Sequence, residues 1–260
     1  MEPERRIPVH RGFWKALFAP VWEYYRDVRF HNLKTEKYNH LLLIIYWPVY
    51  GLFFLTQERL LPLFTEIRYY PISSELDDYI PFCEYFAIPY YYWFVFLVGF
   101  GLFWLFWEPR AFRDWMWTII LTYTMTTVIY FVWPTMQNLR PTEFPRDNLF
   151  TTIVRGLYRF DTNTNVCPSI HVLGSFATMF AGLHSKRLRG IGWKIFFVLS
   201  TILISLSTVF LKQHSVIDIF AALLVGAVCY AIQFGLYPIL DRKFRSKPEN
   251  GSAAKTDPPA

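Results

Sequence analysis

Charge is scarce in this 260-residue chain: 18% of its residues are Asp, Glu, Lys or Arg, against about 25% in an ordinary soluble domain. Cysteine is scarce too. Cys83, Cys167 and Cys229 are the three, and their spacing is not that of a metal-binding module. Cys229 lies inside an apolar run and reads as a small core residue. Cys83 and Cys167 fall in segments assigned to one membrane face, which leaves a disulfide between them open, since a bridge needs Cα atoms within roughly 7 Å. Alternating apolar and polar residues are missing from the long hydrophobic runs, which excludes a membrane β-barrel. A basic stripe on a polar domain is missing as well. The formal net charge of +6 therefore does not point to nucleic acid, because the cations flank apolar runs. No cleavable signal peptide is expected, because the first apolar run begins near Leu41, after a long polar and aromatic stretch.

What the chain has in abundance is apolar surface: 53% of residues are hydrophobic and 20% are aromatic. About 20 mostly apolar residues in a helix span the roughly 30 Å of bilayer hydrocarbon. Six segments qualify: Leu41–Leu61, Ile88–Trp107, Trp115–Trp133, Pro168–His184, Gly192–Leu211 and Val216–Leu240. The fourth is the least hydrophobic, but Gly174, Ser175, Thr178 and Gly182 are small residues of the kind that let helices pack closely in a bundle. The expected fold is all-α: a polytopic membrane protein with a six-helix bundle over residues 40–242. Residues 1–39 form a cytoplasmic segment in which Phe13, Trp14, Lys15 and Phe18 through Trp22, Tyr25 and Arg26 read as an interfacial amphipathic helix. A short soluble helix packed on a partner is the alternative. Residues 243–260, with Ser246, Pro248, Gly251, Pro258 and Pro259, read as a disordered cytoplasmic tail.

Most of the 26 basic residues cluster in the N-terminal segment, around Arg110 and Arg113, in Lys186–Lys194 and in the tail. The positive-inside rule then puts both termini in the cytoplasm. On that topology Arg140, His171 and His214 all face the extracytoplasmic side. The first outer connection is acidic and aromatic (Glu66, Tyr69, Tyr70, Glu75, Asp77, Asp78) and is placed to cap that face.

Ionisable groups beside membrane spans are costly and point to function. His214 and Asp218 lie one helical turn apart on a shared face, so the carboxylate can fix the imidazole tautomer and stabilise the charge gained on attack. His171 lies in the first turn of its segment, with Pro168 suited to the first helical position. A phosphate at that helix end would meet backbone N–H donors, the Ser169 hydroxyl and His171. Arg140 is a fork-shaped cation suited to phosphoryl oxygens, and Lys212 a second phosphate contact. Arg155 and Arg159 read as surface charge. Asn163 and Asn165 read as helix caps, with hydrogen bonding to a ligand as the alternative.

Pro168-Ser169-Ile170-His171 and Ser207 with His214 and Asp218 resemble the second and third motifs of the type-2 phosphatidic acid phosphatase superfamily. Leu139-Arg140-Pro141 resembles the end of its first motif, and the resemblance covers about Trp115 to Leu240. It implies that His214 is the nucleophile of a phosphohistidine mechanism, that Asp218 orients it and that His171 is the general acid and base. It implies no metal, no cofactor, and a lipid phosphate or polyprenyl phosphate substrate. Two positions depart from the pattern: Trp133 stands where the family has Lys, and Thr208 where it has Arg. The same thinning of cations around a kept triad is seen in relatives similar to inositol-phosphorylceramide and sphingomyelin synthases, which makes headgroup phosphotransfer the alternative to hydrolysis. A membrane transporter, a metal site built from His171, His214 and Asp218, and an inactive scaffold are the other readings.

Overall fold

The computed structural model describes residues 9–236 and 238. Arg5, Arg6, the predicted tail and the end of the segment predicted to reach Leu240 lie outside the described residues. The chain is mostly helical. Helix α1 covers Val9–Tyr25, and the first long helix, Asn39–Phe64, is a composite. A 3-10 stretch (Asn39–Ile45) leads into α2 (Tyr46–Leu55), a π turn (Thr56–Leu60) and α3 (Leu61–Phe64). Then follow α4 (Glu75–Tyr79), α5 (Ala87–Trp107), α6 (Pro109–Val132), α7 (Leu149–Phe160), α8 (Ile170–His184), α9 (Ile191–Phe210) and α10 (Val216–Tyr230), the last continued by a π turn. Two short strands, β1 (Tyr70–Pro71) and β2 (Thr135–Met136), pair in parallel and join the two long connections at one end of the bundle.

Among the described residues, five helices are long and apolar enough to cross a membrane: Asn39–Phe64, Glu84–Trp107, Pro109–Val132, Ile191–Phe210 and Val216–Leu236. The fourth predicted segment is a shorter helix, α8, of 15 residues. At 1.5 Å per residue it is about 22 Å long, less than the roughly 30 Å of hydrocarbon. It packs against α5, α6, α9 and α10, and its small residues permit this. A Cβ on Gly174 would sit 2.6 Å from the Tyr123 hydroxyl, and one on Gly182 2.4 Å from the Phe197 ring. Thr178 Oγ1 accepts the indole N–H of Trp115 at 3.2 Å.

The turn from α5 to α6 is short because Pro109 starts α6, and the residue before a proline leaves the helical region. Glu108 leaves the helical region there (φ −147°, ψ 72°), and its carboxylate accepts Ser185 Oγ (2.5 Å) and the Lys186 N–H (2.6 Å). Helix α1 docks on the end of α5, with the Trp107 indole donating to Leu17 O (3.2 Å) and the Tyr25 hydroxyl to Leu105 O (2.5 Å). Helix α7 lies outside all six predicted segments. Asn148 caps it through the Thr151 N–H (3.0 Å), and Thr151, Val154 and Leu157 bury one face at three-residue spacing. All three cysteines are free thiols, so the disulfide left open between Cys83 and Cys167 is not formed.

Candidate active site

The site is built at the end of the bundle where α8 and α10 begin. After α9 the chain turns sharply, with Lys212 at φ 53° and both Gln213 N–H and His214 N–H donating to Thr208 O (2.9 and 3.1 Å). Ser215 then caps α10 in a reciprocal pair with Asp218: its hydroxyl accepts the Ile217 N–H (3.2 Å), and Asp218 Oδ2 accepts the Ser215 N–H (3.0 Å). The same Oδ2 lies 3.0 Å from His214 Nδ1. Asp218 is fully buried and His214 nearly so. That contact fixes the imidazole tautomer and leaves Nε2 for chemistry.

Helix α10 is tied to the start of α8 by Ser169 N–H donating to Asp218 O (3.3 Å). Pro168 does not take the first helical position. It follows a cis peptide bond from Cys167, Ser169 is the N-cap and Ile170 starts the helix. His171 is thereby in the first turn, its ring 5.8 Å from that of His214 between centroids and inclined at 64°. Tyr90 and Trp93 of α5 each hold the His171 ring at 4.5 Å. The Tyr130 hydroxyl donates to Pro168 O (2.6 Å) and fixes the approach to the helix.

Both histidines line one small cavity of about 30 Å³, room for about two waters. Its polar wall is Glu58, Asp161, Thr162, Thr164, Asn165 and Gln213. Glu58 lies on the π turn of the first long helix and accepts from Thr162, Thr164 (3.0 Å) and Asn165 (2.5 Å). Asp161 Oδ2 accepts from the Tyr90 hydroxyl (3.1 Å) and Gln213 Nε2 (3.2 Å). Burial pushes the Asp161 carboxyl up from its ordinary range, and nearby His214 and the Tyr90 hydrogen bond pull the other way. Sequence reasoning missed both carboxylates. Glu58 carried a signal, as the one acidic residue in the first apolar run; Asp161 carried none.

The predicted phosphate contacts divide. The Ser169 hydroxyl is buried without a hydrogen-bond partner at the α8 terminus. Arg140 is turned away from the cavity. Its guanidinium donates to Tyr158 O (3.1 Å), Asp161 O (3.0 Å), Thr162 O (2.8 Å) and Gln213 Oε1 (2.6 Å), and lies 4.5 Å over the Tyr158 ring. It organises the loop that carries Asp161. Lys212 Nζ donates to Asp77 O (2.6 Å). The Asp77 carboxylate accepts Ser215 Oγ (2.6 Å) and the Val216 N–H (2.8 Å), so the acidic connection does clamp the start of α10. Asn163 and Asn165 are not caps of α8; their amides bind Gln137 O (2.7 Å) and Glu58. Arg155 pairs with Asp147 at the surface (2.8 Å).

Cys167 is no competing nucleophile, because burial pushes its thiol up to about 12, with the Asp218 carboxylate adding to the rise. Among the described residues no group of three or more His, Cys, Asp or Glu side chains is placed to hold a metal ion. The arrangement offers an oriented imidazole, a second imidazole across a shared cavity, and helix-end donors for an anion. No protein-family model, curated protein or solved structure matches the chain.

Proposed function

We propose that this integral membrane protein is a lipid-phosphate phosphatase working through a phosphohistidine. His214 Nε2 attacks the phosphorus and the bond from phosphorus to the lipid oxygen breaks. His171 gives its proton to that oxygen. Water then attacks the phosphorus and gives a proton to His171, the P–N bond to His214 breaks, and inorganic phosphate leaves. Asp218 stabilises the imidazolium that forms in between. The observation that carries the reading is His214 Nδ1 at 3.0 Å from a fully buried carboxylate with a second imidazole 5.8 Å away on the same cavity. No metal takes part in these steps. The phosphoryl oxygens meet the N–H groups of the first turn of α8, where Ile170 and His171 line the cavity.

In this reading α8 is the sixth, shorter membrane helix, held within the other five, and α1 lies in the cytoplasmic interface. Both termini are cytoplasmic and the site is extracytoplasmic, as the distribution of basic residues argues. The acidic cavity wall favours a second reading, transfer of the phosphoryl headgroup to an alcohol. Glu58 and Asp161 are acceptors suited to hydroxyl groups, whereas Arg140 and Lys212 do not line the cavity.

Both readings are tested by incubating the detergent-purified protein, with chelator, with long-chain lipid phosphates and polyprenyl phosphate, with and without alcohol acceptors. Product mass spectrometry distinguishes free phosphate from a phosphorylated acceptor. Loss of turnover in chelator, or no product from any phosphate, rejects the mechanism.

A further inference from the structure

A second cavity, of about 320 Å³, opens beside the first between the first long helix and the end of α7. It shares Phe54, Glu58, Asp161 and Thr162 with the catalytic cavity, so the two spaces lie on either side of one wall. Its remaining walls are Gly51, Leu55, Arg59 and Phe160. Gly51, Phe54, Leu55, Glu58 and Arg59 recur at helical spacing on one face of the first long helix. Over that face the chemistry changes from apolar to charged within about 10 Å of rise, at 1.5 Å per residue. Phe54 and Leu55 are exposed on a helix long and apolar enough to lie in a bilayer, and Phe160 is exposed opposite them. Arg59, exposed at the charged end, donates to Phe160 O and is the one cation among the residues lining either cavity.

We infer that this opening is the lateral entry of the substrate. The hydrocarbon chain of the phosphorylated lipid seats on Gly51, Phe54 and Leu55, while its phosphoryl group passes Arg59 and Glu58 to reach His214. A lipid phosphate can then reach the histidines without its tail leaving the hydrocarbon. The inference rests on the proposed lipid-phosphate chemistry and names the subsite that holds the tail.

Gly51 gives a clean test, because a Cβ built on it meets nothing within 4 Å. A side chain there can start without a clash and project from a residue that lines the opening. Gly51→Trp, with Gly51→Ala as control, is compared with wild type on a long-chain alkyl phosphate carrying a diazirine in its chain and on a water-soluble short-chain alkyl phosphate. Photolysis of the long-chain probe should label the peptide containing Phe54 and Leu55 in wild type and Gly51→Ala, and not in Gly51→Trp. Gly51→Trp should raise KM for the long-chain probe about tenfold or more, with short-chain turnover unchanged. Labelling elsewhere, or equal kinetics of all three proteins on the long-chain probe, overturns the entry site. Labelling at Phe54 and Leu55 without turnover of either probe upholds the seat and removes the phosphatase reading.

Discussion

Asp218 carries two functions on one oxygen, capping α10 through the Ser215 N–H and holding His214 Nδ1. Substitutions separate them. Asp218→Asn keeps an acceptor for the cap but loses the charge that stabilises an imidazolium. Turnover should fall by about two to four orders of magnitude with little change in melting temperature. Asp218→Ala should add the loss of the cap, about 1 kcal/mol of stability. Turnover near wild type in Asp218→Asn removes the carboxylate from the mechanism.

Asp161 allows a test of sign. Burial holds its folded-state pKa above the unfolded value, so its contribution to stability is fully present below the unfolded pKa and is lost as pH rises through the folded one. As pH rises above about 4, wild type should lose more thermal stability than Asp161→Asn; parallel profiles contradict the account. His214 and Asp218 were legible because they lie four positions apart, and His171 because it follows Pro168 and Ser169 at the start of a segment. Glu58 and Asp161 enter the cavity through contacts that local periodicity does not encode, such as the bond from Asn165 to Glu58 across 107 positions. Arg140 is drawn away by carbonyls at the end of α7, a helix the hydropathy pattern did not reveal.

Among the elements, α8 has little room. A Cβ on Gly182 meets the Phe197 ring at 2.4 Å, so Gly182→Ala should cost about 1–3 kcal/mol through overpacking. On α10, a Cβ at Gly226 lies 3.6 Å from Leu173, an ordinary contact, so Gly226→Ala should be neutral or stabilise by up to about 1 kcal/mol. Thermal unfolding in one detergent compares the two, and equal effects deny that α8 is the tightly packed helix. The small residues of α8 signalled this packing in advance. Its short length was less visible, because the extended approach through Val166 to Pro168 is fixed by Thr135 and Tyr130 from other segments. Helix α7 escaped notice because hydropathy finds spans, while its signal is a cap at Asn148 and one narrow apolar face.

At the scale of the whole molecule, long apolar helices hold two imidazoles and a buried carboxylate at one end of a bundle, with a second cavity beside them that we infer to be the substrate's entry. Arg140 and Lys212 serve as braces for the loops around that site, so in the proposed reaction the phosphoryl group would be bound by helix-end donors and the histidines. The central claim is that phosphorus becomes bonded to His214. Rapid quenching of the protein during turnover of a lipid phosphate, followed by peptide mass spectrometry under alkaline conditions, tests it directly. The account predicts a phosphoryl group on the peptide containing His214 in wild type and none in His214→Ala. Turnover at full rate in His214→Ala, or a phosphoryl group trapped on a different residue, would contradict it.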